Sequence, residues 1–227
     1  MKRQLYVLCV LGVGLFLLSG RLECQEPGVR FGLVRAHGDI SRGIPGITWG
    51  SIGELSVGLY FSIDILGGQL GLQPELNFLT KGFDARETDQ GEDVSSKYKI
   101  SYVELPILVY WKLPLKGRLR PGLFCGPYFG FATKVMEVQT AFGETEKREL
   151  GDNLKGSDFG LVFGGNIRYG LGAVVLMLDI RYSLGLGNIS QDITAIAYEF
   201  QDGDKIKNRA LTVGLGVGFD LGKDRQN

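Results

Sequence analysis

Beyond its first two dozen positions the chain has no apolar run of 18 residues, so no later segment is fit to cross a membrane as a helix. Cysteine is scarce: Cys9, Cys24 and Cys125 are the three in 227 residues. Two of them belong to the leader described below, so neither a disulfide framework nor a zinc spacing exists. Cys125 reads as a small apolar residue on a strand. Histidine occurs once, at His37. An excess of one charge is also missing, with 25 basic and 25 acidic residues. That balance lacks the basic surface a nucleic-acid binder needs. No metal or other cofactor is expected.

The N-terminus has the build of a secretory signal peptide. Lys2 and Arg3 precede a 14-residue apolar stretch from Leu5 to Leu18, short for a spanning helix. Cleavage after Cys24 leaves Gln25 first; cleavage after Gly20 is the alternative. An uncleaved anchor and a lipid-modified Cys24 are the lesser readings. Arg21-Leu22-Glu23 is the wrong run before a lipid-attachment cysteine. The reading taken is a signal peptide at 1–24, one domain at 25–222 and a polar tail at 223–227. Loss of 1–24 removes Lys2, Arg3, Arg21 and Glu23, leaving 22 basic and 24 acidic residues. An exported chain without a spanning helix is soluble or a closed barrel, because lipid tolerates no open sheet edge.

Glycine is abundant instead, at 35 residues, about twice the usual share. Much of it alternates with apolar residues, as in Gly214-Leu215-Gly216-Val217-Gly218-Phe219. Eight segments carry such period-2 patterning: 28–37, 52–65, 69–83, 97–113, 118–135, 157–170, 173–186 and 208–221. The gaps between them alternate strictly. Long gaps at 38–51, 84–96, 136–156 and 187–207 take turns with short ones at 66–68, 114–117 and 171–172. Outer-membrane barrels sort their connections this way, with short periplasmic turns and long outer loops. The expected fold is therefore all-β: an eight-stranded antiparallel up-and-down transmembrane β-barrel with both termini in the periplasm.

Parity assigns the faces. On the last segment Leu211, Val213, Leu215, Val217, Phe219 and Leu221 share one side; Thr212, three glycines and Asp220 share the other. A water-facing set would carry Lys and Glu, so the small, polar set is expected to line a lumen. The same logic sends Leu55–Ile63, Leu70–Phe78, Val103–Trp111, Phe159–Tyr169 and Val174–Leu184 outward at alternate positions. Trp111, Tyr169 and Phe219 fall toward one rim, and Phe78, Phe159 and Tyr182 toward the other. Pro74, Pro106, Pro121 and Pro127 lie inside proposed strands, where a closed barrel has no edge for them; bulges or strand ends are expected there.

Several motifs are recognisable in order. They are Gly71-Leu72-Gln73-Pro74-Glu75-Leu76-Asn77-Phe78-Leu79-Thr80-Lys81-Gly82, then Tyr102-Val103-Glu104-Leu105-Pro106-Ile107-Leu108. Pro121-Gly122, Gly126-Pro127-Tyr128, Asp158-Phe159-Gly160 and the run from Asp179 to Ile189 follow. Together they resemble the PorT-like outer-membrane β-barrel family of Bacteroidetes-type bacteria, from about Phe31 to Leu221. The resemblance implies the barrel fold. The family's named member is similar to a secretion accessory, a role that fold alone does not transfer. The polar tail after Phe219 departs from the aromatic end many such barrels have.

Ionised groups recur at inward positions. The expected lumen charge cluster is Glu75, Glu104, Arg120, Arg168, Asp179 and Arg181, with Glu54 and Asp64 also inward. Eight strands leave an interior just wide enough for side chains, and buried charges must pair. Arg181 is expected to reach Glu75 or Glu104. A salt-bridged plug is the leading reading; a narrow polar conduit and a carboxylate-pair catalyst are the others. His37 with Asp39 and Ser41 nearby is the one set suited to lipid hydrolysis, and reads otherwise as a polar rim.

The expected function is that of a small outer-membrane protein with a plugged lumen. It would act structurally, in recognition through its outer loops, or as an accessory in surface assembly or secretion. Its expected partners are outer-membrane lipid, the barrel-assembly machinery and an extracellular or secretion-system protein, not nucleic acid. A soluble lipocalin-like binder of an apolar ligand and an outer-membrane lipid-modifying enzyme are the alternatives.

Overall fold

The computed structural model describes residues 26–41, 45–65, 69–89, 92–115, 117–149, 156–189 and 205–221. The leader and the tail after Leu221 lie outside them. Ten strands run in chain order: β1 Glu26–Ile40, β2 Thr48–Gly50, β3 Ile52–Ile65, β4 Leu70–Asp89, β5 Glu92–Lys112, β6 Leu119–Ala141, β7 Glu144–Glu149, β8 Ser157–Leu171, β9 Val174–Gly185 and β10 Ile206–Phe219. Eight of them close a ring in the order β1-β3-β4-β5-β6-β8-β9-β10, with β10 returning to β1. Every pairing around the ring is antiparallel, and all but the closing β10–β1 pair join strands that follow one another among these eight. The short strands β2 and β7 add to β4 and β6.

The wall's outside is apolar. Phe31, Leu33, Leu55, Phe78, Trp111, Phe129, Phe163, Leu178, Ile180 and Leu215 are all exposed, while their alternates are buried or half-buried. Exposed apolar surface on this scale is unstable in water. Ile63 is the exception among the residues expected outside: it is 2% exposed.

Two turns obey local chemistry. Gly172 (φ 68) opens the two-residue link from β8 to β9, the place where glycine supplies positive φ most cheaply. Phe142 (φ 52) and Gly143 (φ 80) make the link from β6 to β7, and Phe142 holds a conformation that costs a side-chain-bearing residue about 1–2 kcal/mol.

The prolines do not sit at bulges. Pro74 pairs with Ile107, and the same register resumes at Asn77–Glu104. Pro106 pairs with Tyr128, and the β5–β6 register resumes at Val109–Cys125. The ladder loses a pair or two beside each proline, which has no N–H to give, and the strands run on. Pro121 lies near the start of β6. The bulge is elsewhere, between Ser101 and Tyr102 on β5 opposite Thr133. One extra residue on β6 flips its parity. Phe129 points out below the bulge, and Val135 is fully buried above it.

The middle strands are longer than their apolar pattern. β4 has 20 residues; at about 3.3 Å each and about 45° tilt it rises about 47 Å, against an apolar band of about 25 Å. The stretches 84–96 and 136–156, expected as loops, thus hold the upper ends of β4, β5 and β6 together with β7. Backbone pairing there survives without a lipid-facing stripe.

Candidate functional site: a charged barrel interior

The inward parity of eight strands brings charges from distant sequence positions into one layer stack. At the rim carrying the termini, Lys112 donates to both Asp64 oxygens at 2.7 Å, and the Tyr110 hydroxyl also donates to Asp64. Arg120 lies at this rim, 3.6 Å from Asp220 with about a third of its side chain exposed. It is the second residue of β6, so it stands apart from the deeper charges with which parity grouped it.

The next layer centres on Arg168. It donates to Gln73 at 2.5 Å and Ser62 at 3.3 Å, lies 3.4 Å from Glu26, and its guanidinium sits 5.3 Å from the Tyr110 ring. Gln73 passes the connection on by donating to Glu75 at 2.7 Å. Arg181 then bridges Glu75 at 2.7 Å and Asp179 at 2.6 Å. Arg30 completes this layer 3.7 Å from each of those carboxylates, donating to Asn77 at 3.0 Å. All of these groups except Lys112, Asp64, Arg120 and Asp220 are buried.

Glu104 belongs to a different layer. It pairs with Lys81, which also lies 3.3 Å from Asp158 and 4.2 Å from the centre of the Tyr128 ring. Asp158 accepts from Tyr128 and Asn208, both at 3.0 Å. Lys81 is fully buried. It shares parity with Gln73, Glu75 and Asn77 on β4, so alternation was the signal for it. Arg30 carried the same signal on β1, between outward Val29 and Phe31. Sequence reasoning singled out neither.

Above Lys81 the interior turns apolar. Phe83, Tyr98, Ile100, Tyr102, Val135, Ile189 and Ile206 form one buried cluster. A gap between the two charged layers, lined by Arg30, Asn77, Glu104 and Arg181 among others, holds about 10 Å³. That is room for about one water at most. A second space of about 50 Å³ opens at the terminal rim beside Glu26 and Asp64.

His37 does not join its sequence neighbours. Asp39 is held by Arg209 at 2.7 Å, and the Ser41 hydroxyl accepts the Lys205 amide at 3.0 Å. His37 itself points out of the wall opposite Arg209. Among the described residues no group of three His, Cys, Asp or Glu side chains could hold a metal ion. Glu54, the last of the acids expected inward, pairs with Lys99 at 2.5 Å.

An apolar outside, a paired charged inside and a ring without free edges define a membrane-spanning β-barrel. Residues 26–191 match the family model described as outer membrane protein beta-barrel domain, and the chain belongs to that family. It is a small outer-membrane β-barrel protein. The PorT-like subgroup stays a resemblance. A soluble lipocalin-like binder is excluded by the wall, whose apolar residues face out. No curated protein matches the sequence. Among solved structures the chain is similar to Neisserial surface protein A (12% identity, 86% of this chain and 97% of that one, TM-score 0.45). It is also similar to OprG from Pseudomonas aeruginosa (13%, 87% and 96%, 0.43). A major outer membrane protein from Thermus thermophilus is a third (16%, 84% and 98%, 0.43).

Proposed function

We propose that the protein is a plugged, non-conducting barrel that acts through the strands rising above its wall. Both termini lie in the periplasm, and the chain reaches the membrane through the barrel-assembly machinery. Its role is structural or in recognition at the cell surface, including accessory service to surface assembly or secretion through a protein partner. The observation that carries this reading is the packed interior: two charged layers, with a gap of about 10 Å³ where they meet, lie below a buried apolar cluster. Chemistry at the lumen finds no room for a substrate there. The polar hairpin of β6 and β7 supports the recognition half. β7 is exposed along its whole length, Glu144–Glu149, and presents mixed charges, which suit a protein surface better than lipid.

Two measurements on one preparation test this. Purified protein in planar bilayers should give no conductance steps. In intact cells, a cysteine at Glu146 should react with a membrane-impermeant maleimide, and one at Leu115 should not. The background is Cys125→Ser, because Cys125 is exposed on the wall. Steady conductance would overturn the plug. Labelling at Leu115 in unbroken cells would reverse the orientation.

A further inference from the structure

We propose that the outer wall beside β1 binds a phosphorylated lipid, its acyl chain in a groove and its phosphate on Arg35. The groove, about 810 Å³, straddles β1 between β3 and β10. This is within the range of ligand-sized sites. Its walls are Leu33, Leu55, Leu211 and Val213. Leu55 and Leu33, 74% and 67% exposed, stand well clear of the sheet. Gly53 opens the floor. It faces Arg35 across the β1–β3 ladder, and a Cβ placed there would meet nothing within 4 Å.

At the loop end of the groove the lining changes from apolar to basic. Arg35 is exposed and donates to the Ser51 hydroxyl at 2.9 Å. No carboxylate pairs with it among the described residues. Lys207 follows on the same outward face, across from Asp39. Arg209 is already engaged, by Asp39 at 2.7 Å and the Gly185 carbonyl at 2.5 Å. Glu54, the lone carboxylate of the lining, has inward parity and is held by Lys99.

These features select the occupant. The groove walls lie on the lipid-facing side, so what reaches them is a lipid. The cation at its end selects an anionic headgroup, and a guanidinium fork matches phosphate oxygens two at a time. Chain burial and headgroup attraction act together, as in other two-signal lipid contacts. The proposal rests on the outer-membrane assignment and not on the orientation proposed above. A reversed barrel would change the leaflet and not the site.

The test is native mass spectrometry of the folded, detergent-released protein with dioleoylphosphatidic acid and dioleoylphosphatidylcholine, which share their tails. Phosphatidic acid should be retained about tenfold more tightly. Arg35→Gln should remove about fivefold of that preference, the effect of one basic residue at a lipid surface. Gly53→Leu, which fills the floor, should weaken both lipids alike, and Val213→Phe narrows the same groove if that variant does not assemble. Arg148→Gln on β7, away from the groove, should change nothing. Millimolar inorganic phosphate should leave the lipid bound. Equal retention of the two lipids, an inert Arg35→Gln or an inert groove filling would each overturn the proposal. So would an equal loss in Arg148→Gln, which marks diffuse attraction, or displacement by phosphate, which marks a headgroup site without the groove.

Discussion

Replacing Lys81 by Met should be among the most damaging single changes in the barrel interior. The side chain has no exposed surface. Its ammonium lies between Glu104 and Asp158, and no other cation is recorded within salt-bridge reach of either among the described residues. Met keeps most of the volume and removes only the charge. Asp158 keeps the hydroxyl of Tyr128 and the amide of Asn208. Glu104 Oε1 has no partner but the ammonium, so the change leaves it bare. Breaking a buried pair from one side costs about 3–5 kcal/mol. With m near 2 kcal/mol/M, the urea midpoint should fall by about 1.5–2.5 M. The assay is urea unfolding of the detergent-folded protein, followed by tryptophan fluorescence and by heat-modifiable gel mobility. Adding Glu104→Gln and Asp158→Asn to Lys81→Met should recover most of the loss, since a neutral set leaves no uncompensated charge. A single mutant within about 0.5 kcal/mol of the parent, the usual range for changes on an exposed surface, would mean these charges are hydrated. The filled-interior reasoning would then be wrong.

Arg181→Met should cost less, about 3 kcal/mol, because Arg30 remains 3.7 Å from both Glu75 and Asp179. Glu75→Gln should rescue it in the same urea assay, whereas Glu104→Gln should not, since Glu104 pairs with Lys81. Leu178→Arg should destabilise by about 2–4 kcal/mol in lipid vesicles, the cost of a cation at mid-wall depth; Leu178 faces out between Ile167 and Leu215. Phe142→Asn should stabilise by about 1 kcal/mol, because asparagine tolerates the positive φ that phenylalanine adopts there. Equilibrium unfolding checks both, and a destabilised Phe142→Asn would show that the exposed ring makes contacts worth more than its strain.

Alternation alone determined the eight strands of the wall and, through the lipid-facing part of it, their two faces, because the side-chain period of a strand is a local property; the short strands β2 and β7 escaped it. Glu75, Arg168, Asp179 and Arg181 lie inward where parity puts them. The same period carried Lys81 and Arg30, which were legible and passed over. Parity failed above Tyr102, where a bulge opposite Thr133 turns Val135 from the wall into the apolar cluster. An irregular pair leaves no periodic mark of its own. The extension of β4, β5 and β6 was equally hidden, since polar strands above lipid need no alternation. Only the tertiary structure decided which charges meet. Lys81 finds Asp158 across 77 positions, and Arg181 finds Glu75 across 106. Those distances are set by how far each strand is staggered against the next as the ring closes. Stagger summed around eight strands belongs to no one segment, so parity told which residues face inward, and closure alone told which of them touch.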